Sequence, residues 1–176
     1  MSNSAKADYR MATASKMPPK AVADASTGTI IAVVDLEASP ERAFRALSTS
    51  DVERWWRHPE FYRQEGWASE LRVCGPWSVK VVLADGSTNI ASGEFAEIDP
   101  PTKLVMTRRF EKHPFQGTRE TTITYRLEPS PSGTRLTVRD EGFIGRSQAA
   151  YGNAEHWERV LGWLDAYLSS HVVSAA

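Results

Sequence analysis

The stretch Ala154-Glu155-His156-Trp157-Glu158-Arg159-Val160-Leu161-Gly162-Trp163-Leu164-Asp165-Ala166-Tyr167-Leu168-Ser169 decides the reading of the fold. Trp157, Leu161, Leu164 and Leu168 recur at helical spacing and form the apolar stripe of an amphipathic helix. Val160 and Tyr167 widen that stripe. Glu155, Glu158, Arg159 and Asp165 fall mostly on the other side, toward water. Everything before this stretch reads as short elements, mostly strands and turns. A sheet with one apolar face needs a cover, and this is the only long helix available to supply it. A pocket is therefore expected between helix and sheet.

Upstream, residues 29–37 alternate as a strand with Ile30, Ala32, Val34 and Leu36 on one side. Ser39-Pro40-Glu41-Arg42 starts a short helix, with serine as cap, proline at its first position and an acid in the first turn. A second short helix follows, carrying Trp55 and Trp56. Residues 61–67 read as an aromatic-bearing loop and residues 70–73 as a short strand. Residues 77–83 and 89–98 form a hairpin on Ala84-Asp85-Gly86-Ser87, since Asp-Gly supplies the positive φ angles of tight turns. Strands over 103–110, 119–128 and 134–141 complete the set, and residues 142–152 lead into the covering helix. The fold class is α+β: a curved antiparallel sheet wrapped around a long C-terminal helix, with two short helices after the first strand. The domain spans residues 29–170. Residues 1–28, rich in Ala, Ser and Lys, read as a mobile N-terminal tail, and residues 171–176 as a C-terminal tail.

Composition excludes several classes of function. The 176 residues are enough for one domain with a substantial core. A net charge of −1, with basic residues scattered, gives no field or basic–aromatic patch for nucleic acid. No apolar run is long enough to span a bilayer, no secretion signal is apparent, and a cytoplasmic protein is expected. Cys74 is the sole cysteine, so no internal disulfide framework exists. It lacks an evident activating base and reads as a buried thiol. His58, His113, His156 and His171 have no partner at metal-ligand spacing, so no metal site is expected. Neither a phosphate-binding glycine loop nor a Gly-x-Ser-x-Gly elbow occurs, and no cofactor is expected.

Strand phasing singles out one charged pair. With Leu104, Met106 and Phe110 inward, Arg108 is inward as well; with Leu136 and Val138 inward, so is Asp140. Antiparallel pairing through one intervening strand sets them about 10 Å apart, within reach of an arginine side chain. The functional reading is that Arg108 anchors an acidic or carbonyl group of a ligand and Asp140 orients it; the bland reading is a structural ion pair. The aromatic residues Trp56, Phe61, Trp77, Phe95, Phe110, Tyr125, Phe143 and Trp157 suit either a core or the lining of a pocket for a flat hydrophobic ligand. The candidate ligand-binding set is Trp56, Trp77, Met106, Arg108, Phe110, Tyr125, Asp140, Phe143 and Trp157. His156 reads first as a surface histidine and second as an acid or base near the pocket mouth.

Several motifs occur in an order that resembles a known family: residues 38–44 after the first strand, Trp55-Trp56 before a proline, Val73-Cys74-Gly75-Pro76-Trp77, Gly93-Glu94-Phe95, Ile98-Asp99-Pro100-Pro101, Gly133-Thr134-Arg135-Leu136 and Glu141-Gly142-Phe143. Together they resemble the START-like (SRPBCC) superfamily, in the branch similar to the C-terminal domain of the activator of heat-shock-protein-90 ATPase. The resemblance implies a helix-grip fold with a deep, mostly apolar cavity. It implies a small hydrophobic molecule as partner (polyketide, lipid or aromatic natural product), with two alternatives: a polyketide cyclase or aromatase-like enzyme, and a regulator of the heat-shock-protein-90 chaperone. An exposed edge strand leaves a homodimer open. The sequence departs from the branch where Arg108 replaces a frequent aromatic, Asp140 a frequent histidine and Cys74 a frequent glycine.

Overall fold

The computed structural model describes residues 15–112 and 117–170. The expectations placed on residues 1–14, His113 and residues 171–176, His171 included, lie outside the described residues. Among the described residues nine strands and three helices follow one another: β1 (Lys20–Asp24), β2 (Thr29–Leu36), α1 (Pro40–Ser48), α2 (Val52–Trp55), β3 (Arg57–His58), β4 (Tyr62–Ser69), β5 (Pro76–Leu83), β6 (Thr88–Asp99), β7 (Lys103–Phe110), β8 (Thr121–Ser130), β9 (Gly133–Glu141) and α3 (Ser147–Ser170). The strands form one antiparallel sheet in the order β1-β2-β9-β8-β7-β6-β5-β4-β3. This is the α+β helix-grip architecture, with the long C-terminal helix held by the sheet.

Alternation builds the inner face. Ile30, Ala32, Val34 and Leu36 are fully buried, and Leu104, Ile123, Tyr125, Leu127, Leu136 and Val138 join them. α3 lays Trp157, Val160, Leu161, Leu164 and Leu168 on that face. At 24 residues it is about 36 Å long. It starts seven residues before the expected helical stretch at Ala154, because Ala149 and Ala150 extend the buried side toward the N-terminus. α1 begins as expected: Ser39 Oγ accepts from Arg42 N, and Pro40 opens the helix.

Four local expectations are corrected. The tail expected over residues 1–28 contains a strand: Lys20–Asp24 pairs with Thr29–Val33 of β2. Its residues alternate between exposed and half-buried, and its largest apolar residue, Val22, stands on the exposed side, so no inward apolar face stands out. Residues 61–67 are mostly strand, and residues 70–73 are not. β4 carries polar side chains on both faces, which hides its period of two, and its register shifts between Glu65 and Ala68. Cys74 is exposed rather than buried. It occupies a turn with φ of 60°, a conformation that favours glycine, as the related pattern has there. Finally, two of the acids assigned to water are engaged by the N-terminal segment. Glu158 Oε1 accepts from the backbone N–H of Ala21 at 2.8 Å, and Asp165 Oδ1 accepts from Lys16 Nζ at 2.7 Å. Among the described residues no helix is long and apolar enough to cross a membrane.

Candidate ligand cavity

Between α3 and the half of the sheet formed by β4 to β7 lies a cavity of about 470 Å³. That is within the range of roughly 300–1,000 Å³ typical of small-molecule sites. α1 and α2 close one end with Leu47, Val52 and Trp56. α3 packs on β2 and β1, and the cavity lies where it faces β4 to β7 instead.

Of the nine residues expected to bind a ligand, Trp56, Trp77, Met106, Arg108, Phe110 and Tyr125 line this cavity. Asp140, Trp157 and Phe143 are not among the lining residues. Phe143 is fully buried in the core, with the Arg146 guanidinium over its ring. Asp140 and Trp157 stand behind Arg108. Arg108 Nη2 donates to Asp140 Oδ2 at 2.8 Å, and Trp157 Nε1 donates to the same oxygen at 3.0 Å. Arg108 is 7% exposed and Asp140 fully buried. The register explains the meeting: Arg108 pairs with Thr121 and Asp140 with Ile123, so the two charges lie diagonally across β8.

Burial pushes the Asp140 carboxyl upward, against the pull of the Arg108 guanidinium and of hydrogen bonds from Trp157, Arg108 and Thr121. The Phe110 ring lies under the guanidinium at 5.5 Å. Arg108 Nε, closed off from solvent, has no hydrogen-bond partner among the described residues. The arginine is thus held in place on one side and has donor capacity left over.

The sequence reading missed a second polar group. Tyr62 Oη sits 2.7 Å from His156 Nε2 and accepts from Trp56 Nε1 at 2.6 Å. All three residues line the cavity. Burial pushes the Tyr62 phenol well above its ordinary value, and the same cause acts on Tyr125. His156, read first as a surface residue, is half-buried at the cavity wall. The available signal was its place next to Trp157, one position around from the apolar stripe. Tyr62 gave no signal, because β4 was not recognised as a strand. Around the mouth, His58 stacks on Trp163 at 5.6 Å and the Arg159 guanidinium stands over Phe61 at 5.2 Å. Trp67 stacks on Trp77 at 5.6 Å and fills the far wall. Among the described residues no group of three or more His, Cys, Asp or Glu side chains is placed to hold a metal ion.

A sheet gripping one long helix over an apolar cavity defines a START-like domain, the fold of a ligand-binding superfamily. Within that class, residues 37–169 match the family model described as activator of Hsp90 ATPase homolog 1-like protein, and the chain belongs to that family. Solved structures agree on the fold. A protein from Chromobacterium violaceum is 25% identical, with a TM-score of 0.70 over 80% of this chain and 97% of that one. A protein from Arthrobacter aurescens is 23% identical, with a TM-score of 0.72 over 90% and 92%. CalU16 from Micromonospora echinospora is 19% identical, with a TM-score of 0.57 over 88% and 87%. No curated protein matches the sequence.

Proposed function

We propose that the protein binds a small hydrophobic molecule, of the polyketide, lipid or aromatic natural-product kind, in the cavity under α3. Arg108 donates to an oxygen of that ligand, and Asp140 with Trp157 fixes the guanidinium from behind. One observation carries this reading. An arginine that is nine-tenths buried lies on the wall of an otherwise mostly apolar cavity, and its Nε has no partner among the described residues. A purely structural ion pair gains most when every remaining donor is satisfied, so spare donor capacity on a cavity wall favours a ligand acceptor. Trp56, Trp77, Met106, Phe110 and Tyr125 would supply the apolar contact that gives affinity.

The test is native mass spectrometry of the purified protein, followed by a thermal-shift screen against hydrophobic carboxylates, aromatic ketones and lipids. A binder of the folded state must raise the melting temperature. The expected result is a shift in the wild type that the Arg108→Met/Asp140→Leu double variant loses. Absence of any shift across all three classes would sink the reading.

The Tyr62–His156 contact favours a second reading, a cyclase or aromatase-like enzyme. A phenol and an imidazole in hydrogen-bond contact on a cavity wall can move a proton to or from a bound carbonyl compound. It predicts product formation that Tyr62→Phe or His156→Gln abolishes while binding survives. A homodimer and a heat-shock-protein-90 partner have no comparable group of residues in their support.

A further inference from the structure

Four side-chain amides line the cavity: Gln64, Asn89, Gln148 and Asn153. Two are committed to the backbone. Asn89 accepts from Ile90 N and Lys112 N and donates to the Lys112 carbonyl. Asn153 Nδ2 donates to the Ala149 carbonyl. Gln148 is exposed at the rim. Gln64 differs from all three. Its Oε1 is closed off from solvent and has no donor among the described residues.

Its neighbours on β4 show that the inward position is specific. Arg63 and Glu65 point the other way and pair with each other at 2.6 Å. Glu65 also holds Lys80 at 2.9 Å. The β4 register then shifts, between Glu65 and Ala68, so Gln64 is the last inward side chain before the irregularity. An apolar residue would satisfy this position at no hydrogen-bonding cost, and native folds leave few buried acceptors unpaired. The terminal torsion of glutamine is broad, so the amide can turn into the cavity without moving the strand.

We infer that Gln64 is a second polar subsite of the cavity, one that accepts a hydrogen bond from a hydroxyl or N–H group of the ligand. This rests on the ligand-binding reading above. Gln64 on β4 and Arg108 on β7 are three strands apart, about 14 Å measured across the strands of the sheet. Val79, Val81 and Ala91 occupy the wall between them. The cavity therefore presents a donor at one end, an acceptor at the other and an apolar middle. The complementary ligand is elongated and flat, with an acceptor such as a ketone oxygen at one end and a hydroxyl or N–H at the other.

Flavone and 4′-hydroxyflavone are suitable probes, because both carry the ketone and only the second carries a distal hydroxyl. Affinities are read by intrinsic tryptophan fluorescence for the wild type, Gln64→Met and Arg108→Met/Asp140→Leu, after melting curves show each variant to be folded. The wild type is expected to prefer 4′-hydroxyflavone by about 10-fold. Gln64→Met should reduce that preference to within about 2-fold while leaving flavone affinity unchanged. Equal affinity of the two probes for the wild type, or a preference that survives in Gln64→Met, overturns the Gln64 subsite but leaves the binding reading standing. If neither probe binds the wild type, both fall for this ligand class. If both bind equally well to the double variant, the Arg108 anchor fails on its own.

Discussion

Tyr62 of β4 and His156 of α3 meet across the cavity, Oη to Nε2 at 2.7 Å, although 94 positions separate them in the chain. This contact joins the outer part of the sheet to the helix directly over the void, where little apolar packing can do so. Trp56 completes it from the α2 end. Tyr62→Phe keeps the ring and removes the hydroxyl, leaving an indole N–H without its acceptor. A loss of about 1–3 kcal/mol is expected, read as a lower urea midpoint with an unchanged slope.

Arg108 and Asp140 give a sharper thermodynamic signature. Asp140→Leu or Arg108→Met alone leaves one buried charge uncompensated and should cost about 3–5 kcal/mol. The Arg108→Met/Asp140→Leu double variant removes both charges and should be far less damaged than the sum of the singles. Denaturation of the four proteins in a double-mutant cycle measures the coupling. Additive losses would mean that the two charges do not compensate each other.

Acid stability should depend on Asp35. Arg135 Nε and Nη2 reach its two oxygens at 2.8 and 3.0 Å. The hydrogen bond from Arg135, opposed by burial and helped by the Met17 N–H, holds this carboxyl below the usual carboxylate range. A depressed folded-state pKa contributes stability that is fully present above the unfolded value of about 3.9 and lost as pH falls through the folded one. Melting temperature followed from neutral pH downward should therefore drop in acid. In Asp35→Asn it should start lower at neutral pH and fall less steeply on acidification.

Gly93 sets how closely β6 approaches β7. A Cβ there would lie 2.0 Å from the Thr107 carbonyl oxygen, the acceptor of the Trp77 indole N–H. Gly93→Ala must push the strands apart and disturb a cavity wall as well. A loss of at least about 2 kcal/mol is expected by denaturation, with a change in near-ultraviolet circular dichroism from the Trp67–Trp77 stack. A variant with wild-type stability and spectrum would show that the strands separate without cost.

The parts of the fold legible in the sequence are those where burial is one-sided. β2, β7, β8 and β9 alternate cleanly because their inward residues are buried and their outward ones are not, and α3 shows its stripe for the same reason. That clarity let two phasings, made independently, bring Arg108 and Asp140 together correctly. Legibility failed at β4. β4 faces a void instead of a core, so Tyr62 and Gln64 stand where an apolar pattern would have announced a strand. Trp157 and Asp140 read as ligand contacts in the sequence, yet both hydrogen-bond on the far side of Arg108 from the cavity, since phasing gives the face a residue points to and not its depth. Trp56 and Trp77 show the converse: both read equally well as core, and they line the cavity.

Residues 16–24 bear on where this protein can be cut. Met17 N donates to Asp35, Lys16 pairs with Asp165, Ala21 N caps Glu158, and β1 adds to the sheet edge beside α3. These links act as a strap that ties the outward side of the helix to β2, and all of them involve chain that precedes the family-matched segment starting at residue 37. A shortened chain starting at that boundary would also lose β2. One starting at Thr29 would keep every cavity-lining residue and lose the strap, together with the Gly28 carbonyl that accepts from the Phe143 N–H. In such a trimmed protein the roof of the cavity would ride more loosely over its floor, so the proposed binding would be weakened by loss of a segment that lines no part of the cavity.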